Sequence, residues 1–444
     1  MSKTVYLETF GCQMNVVDSE RIIDLLAQIG YRQVDSAENA DLVLLNTCSV
    51  RDRAERKVYG HLGRFKPIKD SRPDLIVGVG GCVAQQEGEK LLEKIPYLDI
   101  VFGTHNVHKL PEMVLKVESE EGRFQETAFL DKEARLNLFP SRVGGDAVNR
   151  FVTIMQGCDN FCSYCIVPHV RGREISRPSD DILNEIESLA ADGAREITLI
   201  GQNVNSYGLR EEGEISFAEL LERVDGVEGI ERIRFTTSHP KDMSNALVDC
   251  FGRLNKLCHH IHLPVQCGSD HILKEMNRGY SREQYLDLVE RLRRVCPDIR
   301  VTTDIIVGFP GETEQDFEHT LDLVKKVRYA DAFTFLYSPR PGTAAAELEE
   351  VLTPEEKQQR FDRLIALQQE ISLSYWQGDI GQIVQVLVEG ESKQGEGQFF
   401  GRNTWNRIVN FPGTSDMIGQ VVSIRIVKNF RNSQLGEVVN VKAA

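Results

Sequence analysis

The sequence predicts an α/β protein in three parts: an N-terminal parallel α/β domain, a partial (βα)6 barrel, and a small C-terminal antiparallel β-barrel. Two stretches of the chain alternate short apolar strands with amphipathic helices, and this alternation is typical of parallel βα units. After Gly378 the pattern changes to short alternating strands separated by glycines, which favours a small antiparallel barrel. The predicted boundaries are 1–118 for the first domain, 119–148 for a linker, 149–378 for the partial barrel with its trailing helix, and 379–444 for the last domain.

The composition is that of a globular protein without a membrane span. Of the 444 residues, 41% are hydrophobic and 27% are charged, as in ordinary soluble domains. No window approaches the roughly 18 uninterrupted apolar residues of a membrane helix, and the first residues show no signal-peptide pattern. The ten cysteines are more typical of reduced thiols or metal ligands than of disulfides. We therefore expect a cytoplasmic protein with no membrane partner.

The net charge of −15, taken alone, argues against a nucleic-acid partner, because such binding draws on cations that meet phosphates. Two segments run against this average. Lysines and arginines outnumber acidic residues over 51–74 and again over 392–444. Local charge decides binding more than the sum does. The charge pattern leaves two interpretations open for each segment, an ordinary solvated face or a nucleic-acid surface.

Each of three predicted strands in the first domain leads into a cysteine. The pairs are 4–9 with Cys12, 41–46 with Cys48, and 75–79 with Cys82. A fourth strand is predicted over 99–103, and helices over 18–29 and 51–65 separate the strands. Because carboxyl ends of parallel strands share one edge of a sheet, we expect the three thiols to converge as a three-thiolate cluster site. Three unrelated buried cysteines are the alternative, since free cysteine is a common core residue.

A second set of cysteines follows the first strand of the middle domain. Cys158, Cys162 and Cys165 are spaced CxxxCxxC directly after the apolar run 151–156. A structural zinc site normally has four ligands, whereas three close thiolates suit a cubane iron–sulfur cluster that leaves one iron open. A zinc knuckle that borrows a distant ligand such as His169 is the alternative.

The other strands of the middle domain end in polar or glycine-rich loops. Strands are predicted over 196–201, 232–237, 259–263, 300–308 and 331–337, with helices over 180–192, 216–224, 242–254, 282–296 and 314–327. The loops carry Gln202, Asn203, Ser238 and Gln266 among their residues. Polar groups gathered on one rim indicate a cofactor cradle. His260 and His262, without matching cysteines, are predicted to be structural.

A long amphipathic helix over 353–376 precedes the C-terminal domain. Five short strands are predicted there, over 383–389, 398–402, 408–410, 421–429 and 437–441. Aromatic residues Phe399, Phe400, Trp405 and Phe411 alternate with Arg402 and Arg407. About half of these aromatics are expected to fill the barrel core. The others, with the arginines, have the composition of a surface that stacks and contacts single-stranded RNA, and Arg402, Trp405 and Arg407 are the predicted RNA-binding residues.

The whole chain resembles the methylthiotransferases of the radical S-adenosylmethionine (SAM) class. The motifs that carry the resemblance are Thr9 to Asn15, Asn46 to Arg51, Gly80 to Cys82, Gln156 to Gly172, Ser238 to Pro240, and a C-terminal domain that is similar to the TRAM module, with Asn403 to Phe411 as its clearest part. Cys267 departs from the family pattern, where serine is expected, and adds a thiol near the rim.

The resemblance implies two 4Fe–4S clusters and SAM as cofactors. Cys158, Cys162 and Cys165 would hold the cluster that binds SAM and, with one electron, cleaves it to methionine and a 5′-deoxyadenosyl radical. Cys12, Cys48 and Cys82 would hold the cluster that supplies sulfur. Tyr164 is implied to lie by the SAM adenine, with Gln202, Asn203, Ser238 and Gln266 as further cradle residues.

The implied substrate is tRNA, at the anticodon loop. The branch of the family that the motifs favour converts N6-isopentenyladenosine at position 37 to its 2-methylthio derivative, and the reaction requires an electron donor such as flavodoxin or ferredoxin. Two other transferases stay open, one acting on a ribosomal protein aspartate and one on threonylcarbamoyladenosine in tRNA. A non-catalytic iron–sulfur RNA-binding module is a further alternative that would bind tRNA without cleaving SAM.

Overall fold

The computed structural model describes residues 3–49, 52–119, 122–139, 147–393 and 395–439, without the side chains of 52–57. Parts of both predicted basic segments, around residue 51 and at the C-terminus, lie outside these residues. No helix in the described part of the chain is long and apolar enough to cross a membrane.

The described residues between 3 and 139 fold as alternating strands and helices. The strands are β1 (Lys3–Thr9), β2 (Tyr31–Gln33), β3 (Leu42–Thr47), β4 (Ile76–Gly81), β5 (Ile100–Phe102) and β6 (Phe124–Glu126). The helices are α1 (Gln13–Ala27), α2 (Asp52–Ser71), α3 (Cys82–Glu87), α4 (Glu89–Lys94), α5 (Leu110–Glu118) and α6 (Lys132–Leu136). The strands form one parallel sheet in the order β2-β1-β3-β4-β5-β6.

The central strands of this sheet are covered on both faces. All six residues of β3 are buried: Leu42 and Leu44 belong to one hydrophobic cluster and Val43 and Leu45 to another. Strands that are buried on both faces read as continuous apolar runs, which is why the sequence predicts β3 and β4 well. The edge strands β2 and β6 have only three residues each. The sequence did not predict β2, and it assigned the residues of β6 to the linker 119–148.

The middle of the chain supplies six parallel strands and a short hairpin. The strands are β7 (Asn149–Thr153), β8 (Met155–Gln156), β9 (Ile175–Ser176), β10 (Glu196–Ile200), β11 (Arg232–Phe235), β12 (His260–His262), β13 (Arg300–Val307) and β14 (Asp331–Leu336). The helices are α7 (Val167–Arg171), α8 (Ser179–Ala191), α9 (Phe217–Asp225), α10 (Asn245–Arg253), α11 (Asp270–Glu275), α12 (Arg282–Val295) and α13 (Glu314–Val327). The parallel strands pair as β11-β10-β7 and β12-β13-β14, and Ile233 of β11 forms an isolated bridge with Leu257, ahead of β12.

A long helix and a closed five-stranded barrel complete the chain. They are α14 (Pro354–Asp379), β15 (Ile383–Glu391), β16 (Gln398–Asn403), β17 (Ile408–Pro412), β18 (Val421–Asn429) and β19 (Ser433–Val438). The barrel closes in the order β15-β16-β17-β19-β18. Its pairings are antiparallel except for β17 with β19, which run parallel. Phe399 and Phe411 lie in the core, whereas Phe400 and Trp405 are half-buried.

Contacts divide the chain into two compact units. The first comprises Met1–Gly145, Met155–Arg177 and Arg340–Thr343, and the second comprises Asp146–Ile154, Pro178–Pro339 and Ala344–Ala444. The CxxxCxxC loop therefore belongs by its contacts to the unit of the N-terminal sheet, although it follows a barrel strand in sequence. The C-terminal barrel belongs to the same unit as strands β10 to β14.

In the second unit, a buried ion pair joins β13 to the end of α14. Arg300 Nη1 lies 3.0 Å from Asp379 Oδ2, the pair is bidentate, and both side chains are less than 10% exposed. We expect Asp379→Ala to lower the free energy of unfolding by about 3–5 kcal/mol, because it leaves a buried guanidinium without its counter-charge. The exposed pair of Asp287 with Arg291 is the control, and Asp287→Ala should cost about 0–1 kcal/mol. Equal losses in urea unfolding would contradict the prediction.

Candidate functional site

Cys12, Cys48 and Cys82 lie at one end of the N-terminal sheet. β1, β3 and β4 are parallel neighbours in that sheet, so their carboxyl ends share an edge. Thr47 pairs in register with Gly81, and Cys48 and Cys82 directly follow these last residues of β3 and β4. Because adjacent strands lie about 4.8 Å apart, this register places the two cysteines side by side.

Gly11 brings the backbone before Cys12 against Cys48. The φ of Gly11 is 126°, a conformation that favours glycine. A Cβ on this residue would lie 2.5 Å from the Cβ of Cys48, closer than two non-bonded carbon atoms approach. Any side chain at position 11 would therefore push the first and second cysteine segments apart. Asn15 Oδ1 lies 3.4 Å from Cys12 Sγ on the other side.

A buried amide network joins the segments that follow β1 and β3. Asn15 Nδ2 donates to Asn46 Oδ1 at 3.2 Å and to the carbonyl oxygen of Thr47 at 3.0 Å. Asn46 Nδ2 donates in return to the carbonyl oxygen of Asn15 and to Ser19 Oγ, both at 2.9 Å. Both asparagines are buried, and buried amides are retained only when their hydrogen bonds are satisfied. The loops that carry Cys12 and Cys48 are therefore held in one arrangement.

Arg171, the last residue of α7, is the cation next to this cysteine set. Its side chain is buried, its Nη2 donates to Asp18 Oδ2 at 2.8 Å, and it also hydrogen-bonds Cys82. Burial opposes the charged form of Arg171, but the charges of Asp18, Cys82 and Cys12 outweigh it and raise the pKa of the guanidinium. Burial raises the pKa of the Cys82 thiol, and Arg171 opposes that rise. The arginine thus favours thiolate at the strand ends.

The loop of Cys158, Cys162 and Cys165 is closed at its base by a hairpin. β8 and β9 pair antiparallel across it, and the Cys158 amide donates to the carbonyl oxygen of Gly172 at 3.2 Å. Gly157 has a φ of 79°, and a Cβ there would lie 2.0 Å from the carbonyl oxygen of residue 173. The close approach of the two sides of the loop therefore requires glycine immediately before the first cysteine.

The cysteine loop offers three thiols as metal ligands. Two of them are buried, so a thiolate there needs a positive charge nearby. Cys158 and Cys162 are both 9% exposed, and burial raises the pKa of the Cys158 thiol to about 12, with Cys162 adding to the rise. At neutral pH a thiolate there requires compensation, which a bound metal supplies because metal ligands bind deprotonated. The three thiols therefore fit a metal group better than they fit free solvent.

The one compact trio of possible metal ligands among the described residues lies outside both cysteine sets. Sulfur ligands of a tetrahedral zinc ion lie about 3.8 Å apart, given a Zn–S bond of about 2.3 Å. Among the described residues, the only trio with its ligand atoms all within 4.8 Å of one another is His259, Cys296 and Asp298. Neither cysteine set is that compact, and His169 is exposed on α7.

Tyr164 lies half-buried in a turn between the second and third cysteines of the loop. The neighbouring Phe161 is 44% exposed with a φ of 46°. Arg173 lies over its ring, with the guanidinium carbon 5.1 Å from the ring centroid, and pairs with Asp159 at 2.7 Å. Positive φ in a bulky residue is strained and tends to mark functional loops. Tyr164 is therefore presented from a loop whose backbone is fixed on both sides.

His105 supports the same segment from the end of the N-terminal sheet. Its Nε2 donates to the carbonyl oxygen of Arg171 at 3.0 Å, and its Nδ1 accepts from the amide of Leu130 at 3.2 Å. This pair of contacts requires the neutral ring with the proton on Nε2. Burial, together with the charges of Arg135 and Arg171, lowers the pKa of His105 to about 4.

The depressed pKa of His105 predicts acid-sensitive stability. Between pH 6.5 and 4 the unfolded chain binds a proton that the folded chain does not, so stability is present above pH 6.5 and is lost as the pH falls. From pH 7.5 to pH 5 the loss from this group is about 2 kcal/mol. Urea unfolding at the two pH values should show a smaller difference for His105→Gln than for the wild type, and equal differences would contradict the assignment.

In the second unit, Asn203 and Ser238 lie in the loops after the paired strands β10 and β11. Asn203 Nδ2 donates to Asp242 Oδ2 at 2.7 Å. Asn205 joins the same two loops by exchanging hydrogen bonds with the backbone of His239 at 2.7 and 2.8 Å. Asn203 Oδ1 and Ser238 Oγ are buried and have no hydrogen-bond partner among the described residues. Two unsatisfied buried polar atoms at one rim fit a polar ligand.

The backbone of this rim is strained next to two predicted cradle residues. Thr237, directly before Ser238, has a φ of 68°, and Gln266 has a φ of 70°. Gln266 is buried and bonds through its backbone to Asp304 and Ile306 at 2.9 Å each. Gln202 is half-buried after β10. All four predicted rim residues therefore stand at carboxyl ends of barrel strands.

The remaining histidines and cysteines of the barrel make internal contacts. His262 Nδ1 and His260 Nε2 lie 3.0 and 3.2 Å from Thr302 Oγ1, in agreement with a structural role. Cys267 is fully buried, with its Sγ 3.4 Å from Thr320 Oγ1. The thiols of Cys250, Cys258 and Cys296 are buried as well.

The three predicted RNA-binding residues of the C-terminal barrel have partners within the second unit. Arg402 pairs with Glu389 at 3.3 Å. Trp405 Nε1 donates to the carbonyl oxygen of Asp298 at 3.1 Å, and the Arg300 guanidinium lies 3.9 Å from the Trp405 ring. Arg407 donates to the carbonyl oxygens of residues 430 and 431 at 3.0 and 3.2 Å. Their role in RNA binding stays a prediction.

The sequence analysis did not predict four residues that contact or position the cysteine segments: Asn15, Asp18, His105 and Arg171. Arg171 and Asn15 stand inside motifs that carry the family resemblance, so the motif boundaries were the available signal. Asp18 has no such signal, because an acidic residue on the polar side of a predicted helix looks solvated until its partner is known. His105 follows the short strand β5, and nothing in the sequence around it indicated its contacts.

Three family models match the chain. They are described as uncharacterized protein family UPF0004, matching residues 4–103, the radical SAM superfamily, matching residues 152–324, and the TRAM domain, matching residues 379–442. The fold is also similar to that of a radical S-adenosylmethionine methyltransferase, TsrM, from Kitasatospora setae, with a TM-score of 0.59 at 16% identity over 78% of this chain and 77% of that one. The fold and the cysteine loop thus define a radical SAM enzyme with a C-terminal TRAM domain.

Two curated relatives match over almost their whole length. A tRNA-2-methylthio-N(6)-dimethylallyladenosine synthase of Syntrophotalea carbinolica is 62% identical over 98% of this chain and 99% of the relative. A protein of the same name from Geobacter sulfurreducens is 58% identical over 99% of this chain and 98% of the relative. The chain belongs to the family of the tRNA-2-methylthio-N(6)-dimethylallyladenosine synthases.

Proposed function

We propose that the chain is a transferase that converts N6-isopentenyladenosine at position 37 of tRNA to its 2-methylthio derivative. The observation that carries the proposal is the presence, in one compact unit, of a CxxxCxxC loop and three more cysteines at neighbouring strand ends. One three-thiolate set suffices for a cluster that cleaves SAM. The second set gives the sulfur its own site, and the names of the relatives support the substrate.

We assign one 4Fe–4S cluster to each cysteine set. Cys158, Cys162 and Cys165 would hold the SAM-binding cluster, and Cys12, Cys48 and Cys82 would hold the auxiliary one. Each set has three thiols, two of them buried, and three thiolates suit a cluster that leaves one iron open. When bound, the first cluster supplies reductive cleavage of SAM and the second supplies sulfur for an adenine carbon.

Side chains near Cys12, Cys48 and Cys82 set the local charge at the proposed auxiliary site and its exposure to water. Arg171 places a buried positive charge beside Cys82, and its pairing with Asp18 fixes where that charge lies. Cys48 and Cys82 are each 3% exposed, whereas Cys12 is exposed. The protein thus excludes water from two ligands and leaves an open side at the third. Water exclusion protects reactive intermediates from side reactions.

The rim residues of the second unit are proposed to hold SAM. Asn203 Oδ1 and Ser238 Oγ are the atoms with unused hydrogen-bonding capacity, and SAM offers amine and hydroxyl donors that match them. The Asn203–Asp242 hydrogen bond fixes the amide so that its oxygen faces away from Asp242. Gln202 and Gln266 extend the cradle, and Tyr164 is proposed to lie by the adenine.

The proposed tRNA substrate implies a binding partner, an electron donor and a cellular location. The anticodon loop with its isopentenylated adenosine is the proposed partner, flavodoxin or ferredoxin is the proposed electron donor, and the reaction is proposed to take place in the cytoplasm, where tRNA is. We retain the division into 1–118, 119–148, 149–378 and 379–444 as the proposed domain organisation.

Mass spectrometry of tRNA nucleosides tests this function. Cells that lack the gene should accumulate N6-isopentenyladenosine and lose its 2-methylthio derivative, and the wild-type gene should restore it. A gene carrying Cys250→Ser, a change at a buried thiol outside both sets, should restore it as well. Unchanged tRNA with an altered ribosomal protein, or altered threonylcarbamoyladenosine, would instead favour the other transferases. Intact SAM in reductive assays would favour a non-catalytic RNA-binding module.

A further inference from the structure

Three side chains with metal-binding atoms meet at the amino-terminal ends of β12 and β13, outside both cysteine sets. They are His259, Cys296 and Asp298, and their ligand atoms all lie within 4.8 Å of one another. We call them the His–Cys–Asp trio. The predicted cradle residues, among them Ser238 and Gln266, stand at carboxyl ends of the barrel strands. The trio therefore lies at the opposite end of the strands and belongs to neither proposed cluster site.

A turn after α12 presents Cys296 and Asp298 together. Cys296 follows the last residue of α12 with a φ of −138° and a ψ of 85°, outside the helical region that a following proline disfavours. The amide of Ile299 donates to the carbonyl oxygen of Cys296 at 3.0 Å. This hydrogen bond closes a four-residue turn with Pro297 in its second position, where proline is favoured. The turn therefore fixes the spacing of the cysteine and the aspartate.

The pairing of β12 with β13 brings His259 to the same turn. The Arg300 amide donates to the carbonyl oxygen of His259 at 3.0 Å, directly before the paired residues of the two strands. The C-terminal barrel holds both segments as well. The His259 amide donates to Thr404 Oγ1 at 2.9 Å, and Trp405 Nε1 donates to the carbonyl oxygen of Asp298 at 3.1 Å. A site whose backbone is held in this way loses little conformational entropy when a ligand binds.

The three ligand atoms are close to the spacing of a coordination shell. His259 Nδ1 lies 2.8 Å from Asp298 Oδ1 and 2.9 Å from Asp298 Oδ2. The Cys296 thiol donates to Asp298 Oδ1 at 3.5 Å. Ligand atoms around a tetrahedral zinc ion lie about 3.3–3.8 Å apart, given bonds of about 2.0–2.3 Å. Side-chain shifts of about 1 Å or less therefore turn these contacts into metal ligation.

The trio combines a buried sulfur with two ligands that solvent reaches. Cys296 is 2% exposed, whereas the side chains of His259 and Asp298 are 38% and 51% exposed. A metal ion can therefore enter from solvent, and a water molecule can complete its shell. The Arg300 guanidinium, at the start of β13, forms a bidentate pair with Asp379. Its positive charge is thus compensated and does not oppose a metal ion.

We propose that the His–Cys–Asp trio binds one Zn²⁺ ion, with water as the fourth ligand. Thiolate, imidazole and carboxylate are the ligand types of zinc sites, whereas Mg²⁺ and Ca²⁺ take oxygen ligands. On binding, the Cys296 thiol releases its proton to solvent and its sulfur forms the bond to the metal. The ion joins the segment before β12 to the turn before β13, and both contact the C-terminal barrel. Its role is therefore structural, and it does not depend on the RNA substrate.

Zinc titration and zinc-edge X-ray absorption test the proposal. Zn²⁺ is added, in competition with a chromophoric chelator, to full-length protein whose iron–sulfur clusters are already reconstituted, so that the cluster thiols are occupied. The wild type should bind about one zinc ion per chain, with one sulfur at about 2.3 Å and nitrogen or oxygen atoms at about 2.0–2.2 Å. Cys296→Ser and His259→Gln should each weaken zinc binding at least about 100-fold, because loss of a residue that only orients a metal ligand already costs about 10- to 100-fold.

His271→Gln is the matched control. His271 Nδ1 pairs with Asp316 Oδ2 at 3.3 Å, but this pair belongs to no compact trio among the described residues, so its loss should leave zinc affinity unchanged. Zinc surrounded by three or four sulfur atoms would place the ion at a cysteine set and overturn the proposal. A wild type that takes no zinc from the chelator, or a Cys296→Ser protein that binds zinc as tightly as the wild type, would overturn it as well. Circular dichroism confirms that each variant is folded.

Discussion

Cys48→Ala is expected to abolish 2-methylthio product while leaving reductive cleavage of SAM in place. Cys48 is buried at the end of β3, beside Cys82 and against Gly11, and it belongs to the set proposed to supply sulfur. Removing a residue that only orients a metal ligand already costs about 10- to 100-fold, so loss of a ligand should lower product by at least about 100-fold. The reconstituted enzyme, the tRNA substrate and SAM are incubated with a reductant, and 5′-deoxyadenosine and the modified nucleoside are measured together.

Cys250→Ser is the matched control for Cys48→Ala. It removes a buried thiol on α10, outside both sets, and should leave both products near wild-type amounts. A Cys48→Ala enzyme that still forms the methylthio nucleoside at the wild-type rate would contradict the assignment of the N-terminal set to sulfur supply.

Cys162→Ala is expected to abolish both products. Cys162 belongs to the loop whose base is closed by β8 and β9, and the proposed SAM-binding cluster needs all three of its thiolates. The loss of 5′-deoxyadenosine should again be at least about 100-fold. The substituted protein should keep its fold, because the thiol makes no disulfide and lies outside the helices and strands.

Cys267→Ser provides the control for Cys162→Ala. It changes a fully buried thiol next to the barrel rim, and a serine hydroxyl can keep the contact with Thr320. Formation of 5′-deoxyadenosine by Cys162→Ala at a rate comparable to that of Cys267→Ser would show that SAM is cleaved elsewhere in the protein.

Much of the fold could be predicted because its core strands are buried on both faces. β3 and β4 appear in the sequence as apolar runs, and the cysteines after them mark the carboxyl edge of the sheet. The edge strands β2 and β6 escaped a correct prediction because three residues give no periodicity to read. The parallel pairing of β17 with β19 was also unforeseen, since barrel closure depends on long-range contacts rather than on local pattern.

The same distinction between local pattern and long-range contact applies to the candidate site. Cysteine positions and strand-end polar residues are local properties, so the sequence located both. The contacts that support the site are long-range in sequence. Asp18 pairs with Arg171 across 153 positions, and Arg407 donates to the carbonyl oxygen of Phe430 across 23. Such pairs cannot be read from spacing. For the C-terminal barrel, composition predicts an RNA-binding surface but not which of its residues have partners within the protein.

Iron content tests the central claim, that the chain holds two separate three-cysteine clusters. The anaerobically reconstituted wild type should contain about eight irons per chain, four per cluster. The variant Cys12→Ala, Cys48→Ala, Cys82→Ala and the variant Cys158→Ala, Cys162→Ala, Cys165→Ala should each contain about four. A wild-type value of about four that is unchanged in the first variant would contradict the account, because the N-terminal cysteines would then hold no cluster.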